Sequence, residues 1–244
     1  MRRGPAGAGC GARTLAEASS PELAALPAPP LLAVPVGSVE QHGPHLPLGT
    51  DTVVACALVD RLAAARADVV CAPPVWYGAS GEHEGFAGTL SIGHDALAGL
   101  LVELVRSARA SFAGVVLVSG HGGNAEALRR AVARSNGEGD AVLGWLGRLT
   151  GADAHAGRSE TALMLALAPG LVRSDAAVPG ATEPLAELLP RLRAAGVRAV
   201  SANGVLGDPG GASAAEGERL FEELAADLIR AVARWRAPVA AGGR

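Results

Sequence analysis

Residues 114–135, GVVLVSGHGGNAEALRRAVARS, hold a strand, a turn and a helix in one unbroken stretch. GVVLVSG is a short run of β-branched and aliphatic residues, the clearest strand signal in the chain. HGGN follows at once, and its paired Gly let backbone approach a ligand closely. AEALRRAVARS then has helical periodicity. An apolar strand that runs straight into a helix is the unit of a parallel sheet buried on both faces.

The same unit recurs on either side. LLAVPV (31–36) reads as a buried strand, and residues 52–66 as a helix. DVVCAP (68–73) is a second strand, ended by Pro73 and Pro74. WYGASGEHEGFAGTLSIG (76–93) is a long loop rich in Gly and aromatic residues, of the kind that is often functional. Residues 94–112 read as a helix, AVLGWLG (141–147) as a weaker strand, and GRSETALMLALAP (157–169) as a helix closed by Pro169. Residues 198–211 read as strand-like, then turn. The last helix spans 213–235, with Ser213 as N-cap and Glu216 completing a capping box. This alternation predicts an α/β fold with a mostly parallel central sheet and helices on both faces. No repeat or linker interrupts it, so one catalytic domain is expected over 30–236, with flexible segments at 1–29 and 237–244.

Composition removes several classes of function. The 244 residues are 49% apolar, enough to bury a substantial core. Net charge is −3, too small to point to nucleic acid. There is no Lys, which rules out a P-loop lysine and a Schiff-base lysine. Nor is there a GxGxxG fingerprint for a nucleotide-binding domain. No run approaches the ~18 apolar residues of a membrane span. The N-terminus has a basic pair but no apolar stretch behind it, so no secretion signal is read there. Cys10, Cys56 and Cys71 form no CxxC pair, and reduced thiols in a cytoplasm are expected.

Ionisable residues gather where the strands end. GSVEQHGPHLPLGTD (37–51) holds two of the six His beside two carboxylates. Glu40 and His42 follow the first strand, Asp51 opens the next helix, and His121 follows GVVLVSG. His155 and Glu160 lie at a loop-to-helix junction after 141–147. Ligands of open α/β sheets bind beyond the carboxyl ends of the strands, so these groups are expected to share one rim. Each has a plainer reading. Asp51 could be an N-cap, Glu160 a first-turn carboxylate facing the helix dipole, and His121 a structural turn residue. His45, His83 and His94 are further candidates, with His94 read as a helix start. Taken jointly, carboxylate oxygen and imidazole nitrogen form a donor set for hard or borderline divalent cations. Glu40, His42, Asp51, His121 and Glu160 suffice for two ions, with Asp51 as the bridging candidate. The helix after HGGN points free N–H groups toward them, suited to an oxyanion or carboxylate.

VGSVEQHGPHLPLGTD, GEHEGFAGTLSIG, VSGHGGN, HAGRSET and NGVLGDPGGASAAEGERL, in this order, resemble the creatininase family of amidohydrolases over roughly residues 30–236. The resemblance implies a three-layer α/β/α fold, two divalent ions per subunit (Fe(II), Zn or Mn), hydrolysis of C–N bonds in amides, and a homo-oligomer, often a hexamer. Motif by motif, it implies Glu40, His42, Asp51, His121 and Glu160 as metal ligands, with Asp51 between the ions. Creatininase has a Glu two residues after its GH histidine. Here that position is Gly123, which weighs against creatinine as substrate and leaves the carboxylate to Glu160, the later Glu of HAGxxET. His155 matches a family histidine near the scissile bond, which implies proton transfer or a hydrogen bond to a ligand.

Within the family the blocks look most like the peptidase branch of mycofactocin maturation. That branch implies a modified precursor peptide as substrate and release of its C-terminal Val-Tyr-derived dipeptide. The expected substrate contacts are Trp76, Tyr77, Glu82, His83 and Phe86 from the 76–93 loop, with Gly122, Gly123 and Asn124 from HGGN. The aromatic residues serve equally well as loop anchors. Two alternatives stand beside the peptidase: a small-molecule hydrolase of a cyclic amide or formamide, and a non-catalytic metal-binding protein.

Overall fold

A computed structural model describes residues 14–149 and 151–236. Its sheet has four parallel strands, β1 (Leu31–Val36), β2 (Val69–Cys71), β3 (Gly114–Ser119) and β4 (Val142–Leu146), in the order β2-β1-β3-β4. β1 and β3 lie at the centre and are buried along their whole length, paired from Leu31 with Gly114 to Val36 with Ser119.

Alternation of side chains splits the strands between two apolar layers. Leu31, Ala33, Val116 and Val118 join Leu58 and Leu62 of α2 (Thr50–Ala65), Met164 of α5 (Arg158–Leu167) and Leu228 of α7 (Ala214–Arg236). Leu32, Val34, Val115 and Leu117 join Leu97 and Leu101 of α3 (Gly93–Ala108) and Leu128 of α4 (Ala125–Gly137). Helices therefore cover both faces, giving the three-layer α/β/α architecture that the strand–helix alternation called for. Cys56 and Cys71 are free and buried. Among the described residues no helix is long and apolar enough to cross a membrane.

The structure departs from the sequence reading in four places. Residues 198–211 form no strand. A single 3-10 turn at Val197–Ala199 precedes irregular chain, and Leu206 pairs only with His155 in an isolated antiparallel bridge. Its apolar residues serve a small separate cluster, Leu188, Val197 and Leu206, rather than the sheet. A helix that the sequence reading does not assign, α6 (Leu185–Ala195), lies beside them. Ser213 Oγ accepts the Glu216 N–H at 3.3 Å, as an N-cap does, but the Glu216 carboxylate accepts from Arg158 Nε instead of closing a capping box. Finally, part of the 1–29 segment is structured: α1 covers Ser20–Ala24, and the Leu15 N–H donates to Cys71 O at 2.8 Å. Residues 1–13 and the 237–244 tail lie outside the described residues.

Candidate metal centre

The three segments expected at the rim meet there. The chain leaves β1 at Val36 and runs through Ser38–His42; Leu48 O accepts the Glu40 N–H at 3.0 Å and Val39 O accepts the Leu90 N–H at 2.8 Å. The 76–93 loop thus holds the 37–51 loop in place. His121 follows β3, and Asp51 sits in the first turn of α2, whose N-cap is Gly49. Gly120 makes this approach possible: a Cβ there would lie 2.2 Å from Asp51 O. Asp51 is therefore not a cap. Its carboxylate is buried, bonded by the Ser38 hydroxyl, and turned toward two imidazoles.

Asp51 Oδ1 lies 3.4 Å from His42 Nε2, and Asp51 Oδ2 lies 3.4 Å from His121 Nδ1. Glu160 Oε2 is 3.8 Å from His42 Nε2, and Glu40 Oε2 is 3.1 Å from His121 Nε2. Two donor triads result, Glu40–Asp51–His121 and His42–Asp51–Glu160, which share Asp51. A third group, Glu40–His42–His155, overlaps both. His155 Nδ1 is 3.8 Å from Glu40 Oε1 and 4.0 Å from Glu160 Oε2. Ala156, next to it, has φ +51°, and its N–H donates to Glu160 Oε2.

These groups suit cations better than one another. Both Glu40 oxygens and His42 Nε2 are buried without a hydrogen-bond partner. A bare carboxylate out of water is costly unless a cation or donors satisfy it. Burial opposes charge on His42, yet Asp51, then Glu160 and Glu40, push it up to about 10. Burial opposes charge on His121 as well, and Glu40 and Asp51 outweigh it, holding His121 well above the usual range. Burial would raise Asp51, but His42 and His121 hold it well below the usual carboxylate range. Glu160 is pushed up to about 7 by burial, with Asp51 and Glu40 reinforcing and His42 opposing. A pocket that sets carboxylates against imidazoles in this way has the donor chemistry of a divalent metal site.

A cavity of about 830 Å³ opens onto the cluster. Asp51, Glu82, His83, Gly122, Gly123, His155 and Glu160 line it, as do His94 and Arg193. Gly123 packs against the cluster: a Cβ there would lie 2.3 Å from His121 Nε2, 2.4 Å from Glu82 Oε1 and 2.7 Å from Ala79 O. Asn124 is buried away from the cavity. It accepts the Ala79 N–H at 2.9 Å and donates to Gly37 O at 2.9 Å, tying the 76–93 loop to the end of β1. Trp76 and Tyr77 are exposed and Phe86 packs against the Leu188 cluster; none of the three is among the lining residues. His45 is buried, 2.8 Å from Thr161 Oγ1 through Nε2. Ser38, Gln41 and Arg193 were missed. Ser38 shares the two-residue spacing of Glu40 and His42, the one local signal that could have found it, while Gln41 has the opposite parity and no such signal.

The family model described as creatininase, creatinine amidohydrolase, matches residues 16–232. The mycofactocin precursor peptide peptidase of Mycolicibacterium smegmatis is 54% identical over 213 residues, covering 85% of this chain and 86% of that protein. The creatinine amidohydrolase of Pseudomonas putida is 30% identical over 198 residues, covering 66% of this chain and 74% of that protein. Among solved structures, a mutant creatininase of Zn-Zn type superposes with a TM-score of 0.79 at 27% identity, over 93% of this chain and 99% of that one. The match spans nearly every described residue and the fold agrees with it: the chain belongs to the creatininase family.

Proposed function

We propose that this chain is a hydrolase that uses two divalent ions to cleave a peptide bond in a modified ribosomal precursor peptide, releasing its C-terminal Val-Tyr-derived dipeptide. The observation that carries the reading is Asp51, whose two oxygens face two different donor triads. Half-identity to a mycofactocin precursor peptide peptidase across most of both chains supports the substrate. The cavity supports it too, since about 830 Å³ accommodates several residues of peptide and far exceeds one small cyclic amide.

Glu40, Asp51 and His121 would hold one ion, and His42, Asp51 and Glu160 the other. Such ions supply Lewis acidity, which acidifies a water and polarises an amide carbonyl. Zn, Mn and Fe(II) all suit this donor set. His155 borders the cavity beside Glu40 and Glu160, and its role is to carry a proton to the leaving amine. Glu160 combines its ligand role with proton exchange in the same corner. Gly122 and Gly123 bring backbone N–H groups at the start of α4 toward the substrate carbonyl. Glu82 and His83 line the same cavity, Glu82 beside Gly123, and would border the substrate there.

A homo-oligomer in the cytoplasm completes the proposal. Leu48, Trp76, Tyr77 and Leu90 are exposed on neighbouring loops, as an interface between copies requires. The buried free thiols suit a reducing compartment. The deciding experiment purifies the protein without oxygen, loads each metal in turn, and incubates it with the modified precursor peptide. Mass spectrometry should find the dipeptide fragment. An intact peptide with every metal overturns the reading, and turnover of a cyclic amide alone replaces it.

A further inference from the structure

Gln41 is buried between the two ligands Glu40 and His42, and its amide orientation is settled by its partners. Oε1 accepts the Gly43 N–H at 2.9 Å, and Nε2 donates to Gly204 O at 3.1 Å. The seat is shaped for it: Gly204 has φ +83°, and a Cβ there would lie 1.8 Å from Gln41 Oε1. An amide nitrogen has two hydrogens. The second faces His83 Nδ1 at 2.8 Å, so that nitrogen accepts and the imidazole proton sits on Nε2. His83 Nε2 is 3.3 Å from Glu40 Oε1.

The main chain of the same residue acts on the other imidazole. His155 Nε2 lies 2.8 Å from Gln41 O, and a carbonyl only accepts, so Nε2 carries the proton. Gln41 Nε2 is also 3.1 Å from His155 Nε2, a contact between two donors that forms no hydrogen bond. In the neutral ring, His155 Nδ1 is then bare. That atom faces the carboxylates of Glu40 and Glu160.

We propose that Gln41 is a positioning residue that sets where the protons sit on His83 and His155. Its side chain gives Glu40 an N–H neighbour in His83, and its carbonyl turns the lone pair of His155 Nδ1 into the site. Ligand and near-ligand imidazoles take their tautomer from the partner of the other ring nitrogen, and here one residue fixes two rings. The inference rests on the hydrolase reading for its consequence in turnover, but not for the tautomers themselves.

The test labels histidine with 15N, loads the protein with Zn2+, and reads each tautomer from long-range proton–nitrogen correlations. Wild-type His83 and His155 should both carry the proton on Nε2. Gln41→Met keeps the side-chain length and removes the amide. His83 should become a mixture of tautomers while His155 stays unchanged, since the carbonyl remains. Zinc content should hold, with kcat on the precursor peptide down roughly 10- to 100-fold at unchanged KM. His83 protonated on Nδ1 in the wild type, or a His83 tautomer unmoved in Gln41→Met, overturns the proposal. If Gln41→Met does not fold, the wild-type spectrum decides alone. The spectrum needs no substrate, so an uncleaved peptide overturns the hydrolase reading and leaves the tautomer result standing.

Discussion

On the floor of the pocket, His42 and His121 face the carboxylates of Asp51, Glu160 and Glu40, and both are driven upward, His42 to about 10. On its wall, a few ångströms away, burial pushes His83 down to about 4, and burial with His42 and His83 holds His155 well below the usual range. The rings of His42 and His155 have centroids only 4.3 Å apart. One small volume therefore keeps two imidazoles charged and two neutral. The floor is a surplus of negative charge awaiting cations. The wall consists of neutral rings whose hydrogen bonds run to Gln41. Electrostatics thus sets the proposed ligands His42 and His121 apart from the neutral His83 and His155, where sequence reading lists all four together.

The hardest way to break this division is to remove what the two triads share. Asp51→Asn should lower zinc from two ions to fewer than one per chain by elemental analysis, and turnover by about three orders of magnitude or more. Full zinc content in Asp51→Asn would mean that the triads do not depend on Asp51. His155→Gln tests the wall. Both ions should remain, and kcat should fall roughly 10²- to 10⁴-fold with little change in KM, as for a lost general acid or base. Loss of one ion instead would move His155 to the floor, through the Glu40–His42–His155 group.

Proton counting sharpens the same contrast. A ligating imidazole must be neutral, and His42 and His121 are raised, so both are charged at pH 7 in the metal-free protein. Zinc must expel those protons. Loading at pH 7 should release about two protons per chain from these rings and a further fraction from Glu160, itself near half-protonated there, and affinity should strengthen as pH rises and weaken as it falls. His83 and His155 are already neutral there and contribute none. Calorimetry in buffers of different ionisation enthalpy gives the count. Zero release would place the floor imidazoles among the neutral ones.

The sheet was legible because β1 and β3 are buried on both faces, which forces unbroken apolar runs that no other element imitates. The rim was legible because parallel strands end on one side. Asp51, His121 and Glu160 needed only that rule to be gathered, although each alone reads as a cap or turn residue. α6 was passed over although Leu185, Leu188, Leu189 and Leu192 recur at helical spacing; Pro190 lies inside it, and of that stripe only Leu188 is buried. Arg193 was lost with it. Gln41 escaped, and Asn124 was expected against substrate rather than in the frame it holds, for another reason. Their partners lie at Gly204 and His155, or at Ala79 and Gly37, and no local pattern encodes a hydrogen bond across that much chain. Val200, Val205 and Leu206 resemble a strand because they are apolar, but the register that would seat them in the sheet is absent.

The smallest effect concerns the hinge between floor and wall. Ala156 joins His155 to the helix of Glu160, is fully buried, and has φ +51°, where an L-residue pays roughly 1–2 kcal/mol. In this conformation its N–H donates to Glu160 Oε2, so the strained residue ties the chain at His155 to the Glu160 carboxylate. Ala156→Gly removes the Cβ clash but enlarges the freedom of the unfolded chain by about 0.4–1 kcal/mol. The net gain in urea unfolding should lie between about 0 and 1.6 kcal/mol. Zinc content and kcat should stay at wild-type levels, because the backbone that places His155 and Glu160 is unchanged. A loss of stability in Ala156→Gly would show that the methyl group's packing outweighs the strain, and that floor and wall are joined by contact rather than by backbone geometry.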